Sequence, residues 1–137
     1  MIKFTIPGDC VAQGRPRAVR MGKGIRLYDP KTSRDYKTYV ARIAQEYAPK
    51  EPIETTLFVN LVIYRQIPKS TSKKKREQML SGEIRPTVKP DIDNLSKGIL
   101  DSLNGIIYKD DSQIVELNAT KYYSDSPRAE IEIIEKW

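Results

Sequence analysis

Two aspartates separated by one residue, Asp91 and Asp93, are followed by Lys97 and then, after an amphipathic stretch, by the pair Asp110-Asp111. Carboxylates are hard oxygen donors suited to divalent cations, and an ammonium beside them can offset the charge of a phosphate. The chain as a whole is basic: 24 Lys and Arg against 18 Asp and Glu give a formal charge of +6. An acidic cluster in a cationic chain is what metal-dependent phosphodiester hydrolysis requires, because the cluster collects cations while its surroundings collect phosphates. A charge surplus of this size also serves solubility, so charge alone favours a polyanionic partner without requiring one.

The chain has no histidine and one cysteine, Cys10. Disulfide frameworks, zinc sites built from Cys and His, and histidine-dependent catalysis are thereby excluded. Any metal chemistry must use carboxylate and carbonyl oxygen, which selects Mg²⁺ or Mn²⁺. A chain of 137 residues suits one domain, here residues 1–137, with a core that needs no disulfide. The apolar part of Met1–Pro7 is too short for a signal peptide. No apolar run approaches the roughly 20 residues of a membrane-spanning helix, so we expect a cytoplasmic protein without membrane contact.

The elements that must hold these residues follow from the apolar spacing. Ile2, Phe4 and Ile6 alternate with polar residues and predict a strand stopped by Pro7-Gly8. Residues 10–29 are irregular, with a short hairpin through Met21 to Tyr28 that turns at Gly22 or Gly24. Asp29-Pro30 opens a helix whose apolar positions are Tyr36, Tyr39, Val40, Ile43, Ala44 and Tyr47, ended by Ala48-Pro49. Residues 54–64 carry apolar side chains on both parities, which predicts a central strand buried on both faces. Lys73–Leu80 reads as a short, almost wholly polar helix capped by Ser72, and residues 81–90 as loop or extended chain. Asp93 or Asn94 caps a further helix with the stripe Leu95, Ile99, Leu103 and Ile106, ending near Gly105. Residues 113–123 and 129–134 read as two antiparallel strands joined through Ser124–Pro127. The expected fold class is α+β, with a mixed β-sheet of about four or five strands and helices packed on it.

On this scheme, an extended segment at 89–93 projects Asp91 and Asp93 to the same side, within reach of one cation, while Ile92 points to the core. The competing role for Asp93 is a simple helix cap, which leaves Asp91 unexplained. Lys97 lies four residues after Asp93 and four before Asp101. An i,i+4 salt-bridge ladder accounts for Asp101; Lys97 belongs either to that ladder or to the reacting phosphate. An antiparallel return brings Asp111 beside the helix start as a third carboxylate.

The run Asp91-Ile92-Asp93-Asn94-Leu95-Ser96-Lys97, then Asp101, then Asp110-Asp111, resembles the motif of the RusA-family Holliday junction resolvases. The resemblance implies a homodimeric, magnesium-dependent endonuclease of a kind often carried by prophages. It further implies that Asp91, Asp93 and Asp111 are the catalytic, metal-binding carboxylates and that Lys97 is also required. Asn94, Asp101 and Asp110 fall at supporting positions. The first strand ending at Pro7, the Arg15-Pro16-Arg17 run and the order of elements through a final hairpin resemble the family as well. The Lys73–Arg76 run is more elaborate than the family minimum.

Two basic groups are expected to contact phosphate. Arg15, Arg17, Arg20, Lys23 and Arg26 lie in a Gly- and Pro-containing segment with no helix face to decorate. Lys69, Lys73, Lys74, Lys75 and Arg76 form the second group, whose bland alternative is a solvated helix surface. Both would add salt-dependent affinity without reading bases. Tyr28, Tyr36, Tyr39, Tyr47 and Tyr64 are core or interface candidates, any of which could stack on an unpaired base. The N-terminal strand or the 36–47 helix would supply a two-fold interface. The sequence therefore predicts a junction-cleaving nuclease. The alternatives are a non-catalytic branched-DNA-binding protein and a carboxylate-metal nuclease acting on flaps, forks or RNA.

Overall fold

The alternating N-terminal residues form β1 (Ile2–Pro7), with Phe4 and Ile6 buried and Lys3 and Thr5 exposed. The computed structural model describes residues 1–13, 17–22, 24–28 and 31–136, with 17–21 and 24–28 described by their backbone. β2 (Arg17–Met21) and β3 (Gly24–Tyr28) make a hairpin as a separate two-stranded sheet, starting four residues before the expected Met21. Gly22 takes φ +59° at its turn, a backbone conformation that glycine adopts at no steric cost. The Asp29-Pro30 helix start lies outside the described residues.

α1 (Lys31–Gln45) buries Ser33, Tyr36, Val40 and Ala44. Tyr39 and Tyr47, expected on the same stripe, are 40% and 45% exposed. The Tyr39 hydroxyl donates to the Pro7 carbonyl at 2.7 Å, and the Tyr47 ring stacks on Phe4 at 5.0 Å. Both rings therefore seal α1 against β1 from the rim.

β4 (Thr56–Gln66) is central in a four-stranded sheet of order β1-β6-β4-β5, formed with β5 (Ile114–Ser124) and β6 (Arg128–Lys136). It is not buried on both faces. Leu57, Val59, Leu61 and Ile63 are fully buried under α1 and the helix α3 (Ile92–Ser102), whereas Phe58, Val62 and Tyr64 on the other face are half-buried. Neither α1 nor α3 covers that second face. Long side chains from flanking strands do so in part, with Lys136 over Phe58 and Arg128 over Tyr64.

The expected terminal hairpin is corrected. β5 and β6 run in opposite directions, but β4 lies between them, parallel to β5 and antiparallel to β6. Ser124–Pro127 therefore bridges over one strand instead of closing a tight turn. β6 satisfies both edges, against β4 and against β1, with Ala129, Ile131 and Ile133 facing the core.

Parallel pairing of β4 and β5 demands a crossover. Residues 67–113 supply it through α2 (Lys73–Leu80), the loop 81–90 and α3. Ser72 caps α2 as expected, accepting from the Lys75 N–H, and no α2 residue is buried. α3 packs beside α1 and against β5, with Leu95, Ile99 and Leu103 fully buried. No helix among the described residues is long and apolar enough to cross a membrane.

Candidate active-site cleft

α3 begins earlier than expected. Asp91, at φ −66° and ψ 150°, is the N-cap residue, its carbonyl accepting from the Leu95 N–H, and Asp93 lies in the first turn. The chain at 91–93 is therefore not a strand, so the extended-chain argument for a same-side projection of Asp91 and Asp93 does not apply. The Asp91 carboxylate makes no capping hydrogen bond, so it stays exposed and uncommitted.

Between α3 and the edge strand β5 lies an open cleft of ≈ 700 Å³. Its charged lining is Asp93, Lys97, Asp101 and Asp111; Leu100, Ile114, Leu117 and Ala119 form much of its apolar wall. The four charged residues come from two elements: positions spaced by four on one face of α3, and the single 3₁₀ turn (Asp111–Gln113) that opens β5. Asp91 stands at the start of the helix, outside that lining. A crossover helix runs opposite to the strand it precedes, so the start of β5 meets the end of α3. Asp111 accordingly neighbours Asp101 and Asn104, in the same cleft that Asp93 lines from the first turn of α3.

The acidic pair is divided between two tasks. Asp110 caps the 3₁₀ turn: its carboxylate accepts from the Ser112 N–H at 3.0 Å, and its own N–H donates to Gln113 Oε1 at 2.9 Å. The Ser112 hydroxyl and N–H hold the Asp110 carboxyl below the usual carboxylate range. Gln113 also ties the turn to the Ile53 and Thr55 carbonyls, both at 2.9 Å. Asp111 is thereby turned into the cleft. Burial, then the hydrogen bond and charge of Asp101, then the charge of Asp110 push its carboxyl up, opposed by a hydrogen bond with Asn104.

The i,i+4 ladder is absent. Asp101 pairs with Lys37 of α1 at 3.5 Å, and Lys97 makes no ion pair or hydrogen bond among the described residues. The Lys97 ammonium therefore lines the cleft uncompensated. Beneath the carboxylates, Tyr108 is fully buried and donates to the Leu100 carbonyl at 2.6 Å. Burial first, then Asp111, Asp101 and Asp110, push its phenol far above the ordinary range. It is a neutral structural floor.

Among the described residues no three carboxylates are gathered to hold a metal ion. The donor chemistry nevertheless fits Mg²⁺, which commonly takes one or two carboxylates and completes its shell with water and phosphate oxygen. Asp101 and Asp111 are two mutually repelling carboxylates with no nitrogen or sulfur ligand competing, and beside them the Asn104 Oδ1 is buried without a hydrogen-bond partner. Asn104 escaped the sequence reading; it lies just past the end of α3, where its N–H still donates to the Asp101 carbonyl. Lys37 and Lys121 escaped it too, since each comes from a distant element.

The two basic groups fare differently. Arg15 and Lys23 lie outside the described residues; Arg17 and Arg20 are in β2, and Arg26 in β3 pairs in register with Val19. Lys69, Lys73, Lys74 and Lys75 are exposed, while Arg76 is committed to Asp125 at 2.7 Å. The exposed Asn94 offers its backbone carbonyl to the Gln13 N–H at 3.0 Å, which brings the chain leading to the β2–β3 hairpin alongside α3.

Comparison with known proteins agrees with these features. The family model described as Endodeoxyribonuclease RusA matches residues 7–134. The chain is 48% identical over 137 residues to the uncharacterized protein YqaN of Bacillus subtilis (strain 168), covering 98% of this chain and 96% of YqaN. It is also 48% identical over 50 residues to the crossover junction endodeoxyribonuclease rusA of Lactococcus phage r1t, covering 36% of this chain and 38% of that protein.

Proposed function

This chain belongs to the RusA family of endodeoxyribonucleases, and we propose that it is a Mg²⁺-dependent enzyme resolving four-way DNA junctions by paired, symmetric phosphodiester cleavage. The observation that carries this reading is the cleft where Asp93, Lys97, Asp101 and Asp111 converge in a chain of charge +6. Asp91, Asp93 and Asp111 are the proposed metal-binding carboxylates, with Asp101 and Asn104 beside Asp111; Mn²⁺ should substitute. When bound, the metal supplies Lewis acidity and a water of lowered pKa.

The protein's own groups do the rest. The uncompensated Lys97 ammonium meets a non-bridging oxygen of the scissile phosphate and stabilises charge as it develops. Lys37 holds Asp101 in place from α1. The apolar wall of Leu100, Ile114 and Leu117 lowers the local dielectric, which strengthens these interactions. Exposed Lys69 and Lys73–Lys75, with the β2–β3 arginines, hold the phosphate backbone. Cutting two strands symmetrically calls for two copies of the cleft, hence a two-fold homodimer.

Cleavage of a synthetic four-way junction tests the reading. Asp91→Asn and Asp93→Asn should each lose at least about 100-fold in rate, the scale of removing a transition-state charge stabiliser, while junction binding survives. Full cleavage by either variant would refute the assignment. Binding without product in Mg²⁺ or Mn²⁺ would mark a non-catalytic DNA-binding protein. Preference for flaps, forks or RNA in the same panel would move the substrate class.

A further inference from the structure

We infer that Lys121 is a positioning residue: its ammonium latches the loop before Asp91 onto β5, the same strand that Asp111 introduces. The inference rests on the nuclease reading above and extends it to a residue outside the acidic motif.

Lys121 lies on β5 in register with Ile63 and on the same parity as Ala119, so it faces the helix side of the sheet beyond the cleft. Its Nζ donates to the Pro90 carbonyl at 3.2 Å and to the Val88 carbonyl at 3.4 Å. Among the described residues, these are the hydrogen bonds that residues 86–90 make; no carboxylate pairs with Lys121. Pro86 is buried, but Thr87, Val88 and Lys89 are exposed, so little apolar packing holds the remainder of the loop.

A second contact fixes the latch from the other side. Arg85 Nε donates to the Lys121 carbonyl at 2.7 Å, and its guanidinium stacks on the Tyr122 ring at 3.9 Å. The loop is thus gripped before and after its exposed stretch by one short piece of β5. Pro90 is joined directly to Asp91, whose carboxylate has no capping bond to orient it. The backbone of Asp91 is tied to α3 through the Leu95 N–H, but its carboxylate has no capping bond, so where that carboxylate sits relative to the Asp111 end of the groove depends on how firmly Pro90 is held. A two-carbonyl clamp uses an ammonium well, since it presents three donors from one point.

The test uses the full chain and a four-way junction in Mg²⁺. For Lys121→Met we expect kcat to fall by about 10- to 100-fold, the scale for misplacing a reacting group by an ångström, with KM and metal-free junction affinity nearly unchanged. Lys121→Arg, which keeps donors for both carbonyls, should restore most of the rate. The Leu95 amide, which donates to the Asp91 carbonyl, should exchange hydrogen faster in Lys121→Met than in wild type. Unchanged kcat together with unchanged Leu95 exchange overturns the inference. A loss confined to KM and affinity also overturns it, making Lys121 a phosphate contact. Should Lys121→Met fail to fold, Arg85→Ala loosens the same latch and must show a smaller loss of kcat in the same direction; no loss refutes the latch. If wild type cuts nothing in the substrate panel, the nuclease reading falls, while Leu95 exchange still decides whether Lys121 holds the loop.

Discussion

Asp111 shows how a site can be built against stability. Burial, Asp101 and Asp110 raise its carboxyl pKa, so the folded protein holds that proton more tightly than the unfolded chain does. This group therefore favours folding at low pH, and that contribution is lost as pH rises from its unfolded value through the raised folded one. In EDTA at pH 7, Asp111→Asn should melt above wild type, with the gap closing as the pH falls into the ordinary carboxylate range. Mg²⁺ should raise the melting temperature of wild type more than that of the variant. A variant less stable than wild type in EDTA would contradict this account. The residue types and spacing made the acidic motif legible. What spacing did not carry was the division of the Asp110-Asp111 pair, because a cap and a ligand are the same side chain until the Ser112 and Gln113 contacts distinguish them.

At the scale of elements, α3 presents one face to the cleft and another to the chain at 11–13. A Cβ built on Gly98 would lie 3.3 Å from the Val11 carbonyl oxygen, so that segment must yield by a few tenths of an ångström to accept one. Beside it, the Gln13 N–H donates to the Asn94 carbonyl. Gly98→Ala gains up to about 1 kcal/mol of helix propensity but displaces the chain that leads to the β2–β3 hairpin. We expect weaker junction binding by fluorescence anisotropy, with the α3 helix intact by circular dichroism; unchanged affinity would show that the hairpin's placement does not depend on this contact. Helix α3 itself was readable from Leu95, Ile99 and Leu103, yet its start was not. Asp91, Asp93 and Asn94 are all good caps by type, and only backbone geometry chose Asp91.

For the whole molecule, the basic surface makes a quantitative demand. Each lysine that neutralises a phosphate contributes about 0.9 to the slope of log affinity against log salt. Replacing Lys73, Lys74 and Lys75 by alanine should flatten that slope by up to about three times this amount, with relative affinity among junction sequences preserved. Arg76→Ala should change it less, since Asp125 already occupies that guanidinium. A steeper or unchanged slope for the triple variant would return the lysine run to the status of a solvated helix face. The expected two-sided burial of β4 failed at this scale as well. Apolar residues on both parities mark a central strand, but which face receives helices depends on where the crossover passes, and both α1 and α3 went to one side.

The sequence by itself determined the chemistry available: carboxylate oxygen without histidine, a cationic surround, and an α+β succession whose apolar periodicities named most of the elements. These are local properties, written in residue type and in spacings shorter than one helix or strand. Tertiary structure decided the partners. It inserted β4 between β5 and β6, set Asp111 against Asp101, paired Asp101 with Lys37, and brought Lys121 to the loop before Asp91. Each of these joins residues from different elements, and no spacing along the chain encodes such contacts. They follow from the strand order and from the direction in which α3 crosses the sheet.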